Sequence, residues 1–160
     1  MGKRANALAD RIEQGAGALA AFAEGLSDAE WRRPVLPDGR TVGVLVHHVA
    51  SMYPLEVRLA HTLALGKPIA GVTANAVAQI NAEHAREHAA ATRAETVALL
   101  RKNSQAAAAA VRGMSDDDLD RAAPVSLNAD APLTTQFFIE DHALRHSHHH
   151  LAKIRAALGR

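Results

Sequence analysis

Apolar residues recur at helical spacing along most of the chain. In the first stretch, Leu8, Ile12 and Leu19 recur near the 3.6-residue period, and Gly25 follows as a terminator. This pattern predicts a first amphipathic helix over residues 4–24.

The same periodicity predicts three further long helices, with a kink or break in the third. A capping-box pattern, Thr92–Glu95, lies inside that third stretch and indicates the break. The predicted long helices cover residues 4–24, 41–65, 75–112 and 134–158. Segments of about 20 residues make helices of about 30 Å. We therefore predict an all-α fold, a four-helix bundle in one domain spanning residues 1–160.

The connections between the long helices carry turn and capping residues. Ser27–Glu30 and Ser115–Asp118 have the form of helix starts, with acidic side chains placed favourably for the helix dipole. Gly66–Val72 and Pro124–Pro132 are rich in helix-breaking residues and are predicted as loops.

Composition narrows the function classes. Lys and Arg number 18 and Asp and Glu number 17, so the net charge of +1 argues against a nucleic-acid or anionic-membrane binder. The chain has no cysteine, which excludes disulfides, thiolate metal sites and a cysteine nucleophile. A metal would therefore have to be held by histidines and carboxylates.

No apolar run approaches the length of a membrane span, which is about 20 residues. The N-terminal stretch MGKRANALADRIEQGAG carries charges where a signal peptide would be apolar. These features predict a soluble, cytoplasmic protein.

Histidines concentrate in the last predicted helix. His142, His146 and His150 stand four residues apart, and two side chains at that spacing can reach one ion. A third ligand would come from His47 or His48 in the second predicted helix, of which His48 is nearer the apolar face. The alternative is a polar histidine stripe with no ligand role.

The four-residue spacing also occurs in the third predicted helix. His84 and His88 have acidic and basic neighbours there, as in NAEHAREH. This context is typical of a solvated helix face, so we interpret the pair as exposed.

Three stretches resemble the DinB/YfiT-like superfamily of metalloenzymes. They are GRTVGVLVHHVASMY, INAEHAREHAAATRAETVALLRKN and RHSHHHLAKIRAAL, and the loop LSDAEW is also similar to loops of that family. The resemblance covers nearly the whole chain. It implies a four-helix bundle, often dimeric, with a divalent ion between the second and fourth long helices.

The family's three metal ligands correspond to His48, His146 and His150 in this sequence. His48 directly precedes an aliphatic residue, and the two others form the His-x-x-x-His pair of the last helix. His142 extends the stripe, so it is either an alternative ligand or a residue that supports the ligands. Zn, Ni, Mn and Fe are all compatible with imidazole ligands.

The resemblance implies a metal-dependent enzyme acting on a small molecule. Members with assigned activities include transferases and isomerases that use low-molecular-weight thiols such as bacillithiol or mycothiol, and a hydrolase is a further option. The resemblance also implies a homodimer. The alternative is a non-enzymatic metal-binding bundle or dimeric interaction protein, which a fourth protein ligand closing the site would favour.

Four further residues are candidate helpers near the predicted ligands, each with a simpler interpretation. Glu140 and Asp141 lie where acids favour a helix start. Glu56 is expected to be solvated, and Tyr53 is expected to pack in the core.

Overall fold

The computed structural model describes residues 2–160. Within that range the chain forms eight α-helices, one short 3₁₀ turn, one π-helical segment and one two-stranded hairpin. The elements are α1 (Lys3–Glu24), α2 (Asp28–Trp31), α3 (Val42–Ala64), α4 (Ala74–Glu87), α5 (Arg93–Arg112), α6 (Asp116–Asp120), β1 (Ala122–Val125), β2 (Ala131–Thr134), α7 (Thr135–Ile139) and α8 (Arg145–Leu158).

Four long elements build the bundle, which confirms the predicted fold class. Helix α5 packs against both α1 and α3, and α8, which continues α7, packs against the same two helices. Their apolar faces bury one common core that includes Leu8, Leu45, Leu100 and Ile154. Helices α3 and α8 are therefore neighbours, as a site shared between them requires.

The predicted helix starts are confirmed by their caps. Ser27 and Ser115 each form a capping box, in which the side chain of the residue three positions on bonds back to the cap. Thr41 and Thr92 each accept a hydrogen bond from the backbone three residues on. The cap at Thr92 separates α4 from α5, so the predicted break in the third stretch is confirmed.

The prediction of a plain loop over residues 124–132 is wrong. Strands β1 and β2 pair antiparallel there, with Pro124 opposite Pro132, and the Ile69 amide donates to the Pro124 carbonyl at 2.9 Å. Proline argues against a strand because it donates no hydrogen bond. Because both four-residue strands contain a proline, the composition of this segment predicted a loop and not a hairpin.

The last predicted helix is interrupted by a π-helical segment at Glu140–Leu144. The Arg145 amide donates to the carbonyl of Glu140, five residues back. The wider turn changes the helical register between His142 and His146.

Helix α4 lies outside the core. It has no buried residue, although it contacts α3. Within the described residues 2–160, no helix is both long and apolar enough to cross a membrane.

Candidate metal centre

Helices α3 and α8 bring three imidazoles together. One ring nitrogen from each of His48, His146 and His150 lies within 4.8 Å of the other two. His48 is 6% exposed and His150 is 5% exposed. These are the three residues that the resemblance singles out, so the sequence predicted which side chains converge.

The nitrogen positions fit a shared ion. The Nε2 atoms of His48 and His146 are 3.0 Å apart and face each other from different helices. Tetrahedral coordination with bonds of 2.0–2.1 Å places ligand nitrogens about 3.3 Å apart. No fourth His, Asp or Glu of the described chain joins the group. The donor set therefore leaves one position of a tetrahedral ion for another ligand.

Glu56 contacts the triad residue His146 at its other ring nitrogen, Nδ1. Its Oε1 lies 2.7 Å from Nδ1 of His146, and the side chain is buried, with 4% exposure. The two atoms are close but do not form an aligned hydrogen bond. A carboxylate beside Nδ1 favours the proton on that nitrogen, which leaves the lone pair of Nε2 free for a metal. The expectation that Glu56 is solvated is wrong.

A buried hydrogen bond holds the two ligand-bearing helices together. The hydroxyls of Tyr53 on α3 and Ser147 on α8 are 2.8 Å apart. Burial raises the pKa of Tyr53 to about 12, so the phenol keeps its proton. Gly15 on α1 allows close packing here, since a Cβ atom would lie 2.7 Å from Nε2 of His148. Tyr53 is therefore packed in the core, as expected from the sequence.

The triad lines a cavity of about 480 Å³. Most of the other walls are apolar side chains: Met52, Leu55, Leu59, Ile69, Val72, Val77, Ile80, Val125, Leu127 and Phe138. The remaining polar groups include Glu56, Asp141, His142 and Arg145. A mainly apolar cavity with a limited number of polar groups in its wall is typical of a small-molecule site.

His142 lies in the cavity wall and not among the converging nitrogens. Its ring stacks on Phe138 with centroids 4.2 Å apart, and its Nε2 is 3.8 Å from Asp141. The π-helical segment accounts for this placement, because it breaks the α-helical spacing before His146. Of the other candidate helpers, Asp141 lines the cavity, whereas Glu140 pairs with Arg11 and Gln136.

Burial lowers the pKa of two triad members. The pKa of His48 falls to about 2 and that of His150 to about 3, first because of desolvation and then because of neighbouring imidazoles. Both rings are therefore neutral near pH 7, which is the form that binds metal.

Metal-free protein is expected to lose stability as the pH falls below about 6.5, the ordinary histidine pKa. The unfolded chain takes up protons in this window, whereas the folded state keeps His48 and His150 neutral until their lowered values are reached. Each of the two contributes a slope of up to about 1.4 kcal/mol per pH unit. Urea unfolding from neutral to mildly acidic pH measures this slope. His48→Gln should lower the measured slope by up to about 1.4 kcal/mol per pH unit. An unfolding free energy that stays flat across the window would contradict the assignment.

A second group of histidines lies beside the first. His47, His84 and His88 each offer a ring nitrogen within 4.8 Å of the other two, and all three are half-buried. Nδ1 of His47 is 2.9 Å from Nε2 of His84, and the His47 and His88 rings stack at 4.0 Å. The interpretation of His84 and His88 as a solvated face is therefore wrong, because α4 turns them toward α3.

Comparison with known proteins agrees with the fold. A family model of the DinB superfamily matches residues 11–154. No curated protein matches the chain. A solved structure, YfiT from Bacillus subtilis, matches with a TM-score of 0.78 and 20% identity, covering 100% of this chain and 89% of that one. That protein is described as a "probable metal-dependent hydrolase with an unusual four-helix bundle topology". The family model spans most of the length of this chain, so the chain belongs to the DinB superfamily.

Proposed function

We propose that the protein is a metal-dependent enzyme that acts on a small molecule. His48, His146 and His150 hold one divalent ion, with Zn, Ni, Mn and Fe as the candidate metals. The observation that carries the proposal is their convergence on the wall of an apolar cavity of about 480 Å³. An ion held by three imidazoles keeps its charge and an open position, and so acidifies a water or thiol that binds there.

The favoured reaction class is transfer involving a low-molecular-weight thiol, such as bacillithiol or mycothiol. The chain has no cysteine, so a sulfur nucleophile would have to enter as a co-substrate. In such a transfer the sulfur bonds to an electrophilic carbon of the second substrate, and the bond to the leaving group breaks. The apolar cavity suits an electrophilic second substrate with an apolar body, because burial of that body supplies binding free energy.

His142 is the residue we assign to take up the thiol proton. It lines the same cavity, and burial lowers its pKa, so the ring is neutral and able to accept a proton near pH 7. Asp141, 3.8 Å from its Nε2, stabilises the charged ring that results. The leaving group departs with the electron pair of the broken bond.

Hydrolysis is the second candidate, favoured by the description of YfiT as a "probable metal-dependent hydrolase". The same residues would then act on water in place of a thiol. A non-enzymatic metal-binding or dimeric interaction bundle is the third, and the lack of a fourth histidine or carboxylate in the described triad argues against a closed structural site.

The test is turnover by metal-loaded protein of a panel of small electrophiles, esters and amides, with and without added thiols. Product formation that requires the thiol is the expected result. Thiol-independent cleavage would replace transfer by hydrolysis, and no turnover by protein with its metal bound would favour the non-enzymatic bundle. His142→Gln should keep the metal and lose turnover by about 100-fold, as expected for a lost proton acceptor.

A further inference from the structure

We propose that His47, His84 and His88 form a second divalent-metal site, which fastens α4 over the cavity. The ligand class is a borderline first-row ion such as Zn²⁺ or Co²⁺, because all three donors are imidazoles and no thiolate is present. This site is separate from the proposed function, since none of the three residues belongs to the α3–α8 triad.

The two groups of histidines are built on the same plan. In each, a pair of histidines four residues apart meets a third imidazole from α3. His146 and His150 lie on α8, whereas His84 lies on α4 and His88 is the C-cap residue of that helix. His47 and His48 are adjacent on α3, so their side chains diverge by about 100° around the helix axis. His48 consequently meets α8 while His47 meets α4.

The contacts within the second group resemble those of the first. The separation of 2.9 Å between Nδ1 of His47 and Nε2 of His84 is close to the 3.0 Å between the facing nitrogens of His48 and His146. The ring centroids of His84 and His88 are 4.7 Å apart. All three residues are half-buried, so an ion between the rings would be partly shielded from solvent.

The surroundings tolerate a cation. Ser51 donates its hydroxyl proton to the His47 carbonyl at 2.6 Å, and its oxygen lies 3.2 Å from Nε2 of His84. The cation that acts on His84 is Arg40, whose guanidinium bonds both carboxylate oxygens of Asp38 at 2.6 and 2.7 Å. That pairing reduces the repulsion between Arg40 and a metal ion.

The position of α4 gives the site a role. This helix buries none of its residues, so apolar packing holds it weakly. Yet Val77 and Ile80 on α4 form part of the cavity wall. An ion bridging His47 to His84 and His88 would hold that wall in place.

The experiment measures Zn²⁺ binding in protein that lacks the α3–α8 triad through His146→Ala and His150→Ala. We expect one Zn²⁺ per chain by calorimetry, lost when His88→Gln is added and kept when His61→Gln, an exposed histidine on α3, is added instead. No binding in the starting variant, or binding that His88→Gln leaves unchanged, would overturn the site. Circular dichroism checks that each variant folds. If the starting variant unfolds, wild-type protein should bind two ions and His88→Gln one, and equal stoichiometry would overturn the proposal.

Hydrogen exchange in the same starting variant tests the fastening. Amides of residues 74–88 should exchange about tenfold more slowly when free Zn²⁺ is about ten times Kd, because binding stabilises the attached form. Those in α5 should not change. Unchanged exchange in α4 with Zn²⁺ bound would refute the role in fastening the helix. The α3–α8 triad is absent throughout, so failure here does not bear on the proposed enzyme activity.

Discussion

Replacement of His48 by glutamine is expected to weaken metal binding between α3 and α8 by about 10³-fold, equal to about 4 kcal/mol. His48 is the one member of that triad from α3, and its loss leaves only the pair His146 and His150 on a single helix. Two ligands from one helix hold an ion much less firmly than three from two helices. Turnover should fall to background because the metal is lost.

The measurement is competition with a chromophoric chelator, made in a His88→Gln background so that the second group of histidines does not contribute. His61→Gln serves as the matched control, because it changes an exposed histidine on the same helix. An affinity change below about tenfold, or 1.4 kcal/mol, would mean that His48 is not a ligand.

The second large effect is expected at Glu56, which acts on the metal site through His146. Glu56→Gln keeps the size of the side chain and removes the charge 2.7 Å from Nδ1. We expect metal affinity to fall about 10- to 100-fold, the range typical of groups that orient metal-bound histidines. Glu56 is therefore a positioning residue.

A comparison of metal-bound and metal-free protein separates this role from a structural one. In metal-free protein, Glu56→Gln should leave the free energy of unfolding little changed or raised, because it removes a buried charge. The matched control is Glu140→Gln, an acid near the ligand helix that pairs with Arg11 instead. Equal losses of affinity in the two variants would contradict the special place of Glu56.

The three histidines of the α3–α8 triad were largely predictable, because spacing within each helix indicates which face a side chain lies on. His146 and His150 share one helix face by their spacing, and His48 lies on the inward side of its own helix. The resemblance to the DinB/YfiT-like superfamily then indicated that these two helices, α3 and α8, share the site. Glu56 was named as a candidate helper but was expected to be solvated, although it stands eight residues after His48, only about 80° away around the axis of α3. An acid at that position, between buried Tyr53 and Val57, was the available signal.

The second group of histidines was missed for a tertiary reason. His84 and His88 have charged neighbours, and a helix with such a pattern ordinarily faces solvent. Only the packing of α4 on α3 brings them to His47. The same holds for the π-helical segment, since the residues 140–144 carry no sequence mark that separates a π turn from an α turn.

One measurement tests the central claim most directly, which is that α3 and α8 share one ion. It is the crystal structure of Zn²⁺-loaded protein, with anomalous difference density recorded at the zinc edge. The account predicts a peak about 2.0–2.1 Å from one ring nitrogen each of His48, His146 and His150, facing the cavity. Zinc density absent from that position in fully loaded protein would contradict it.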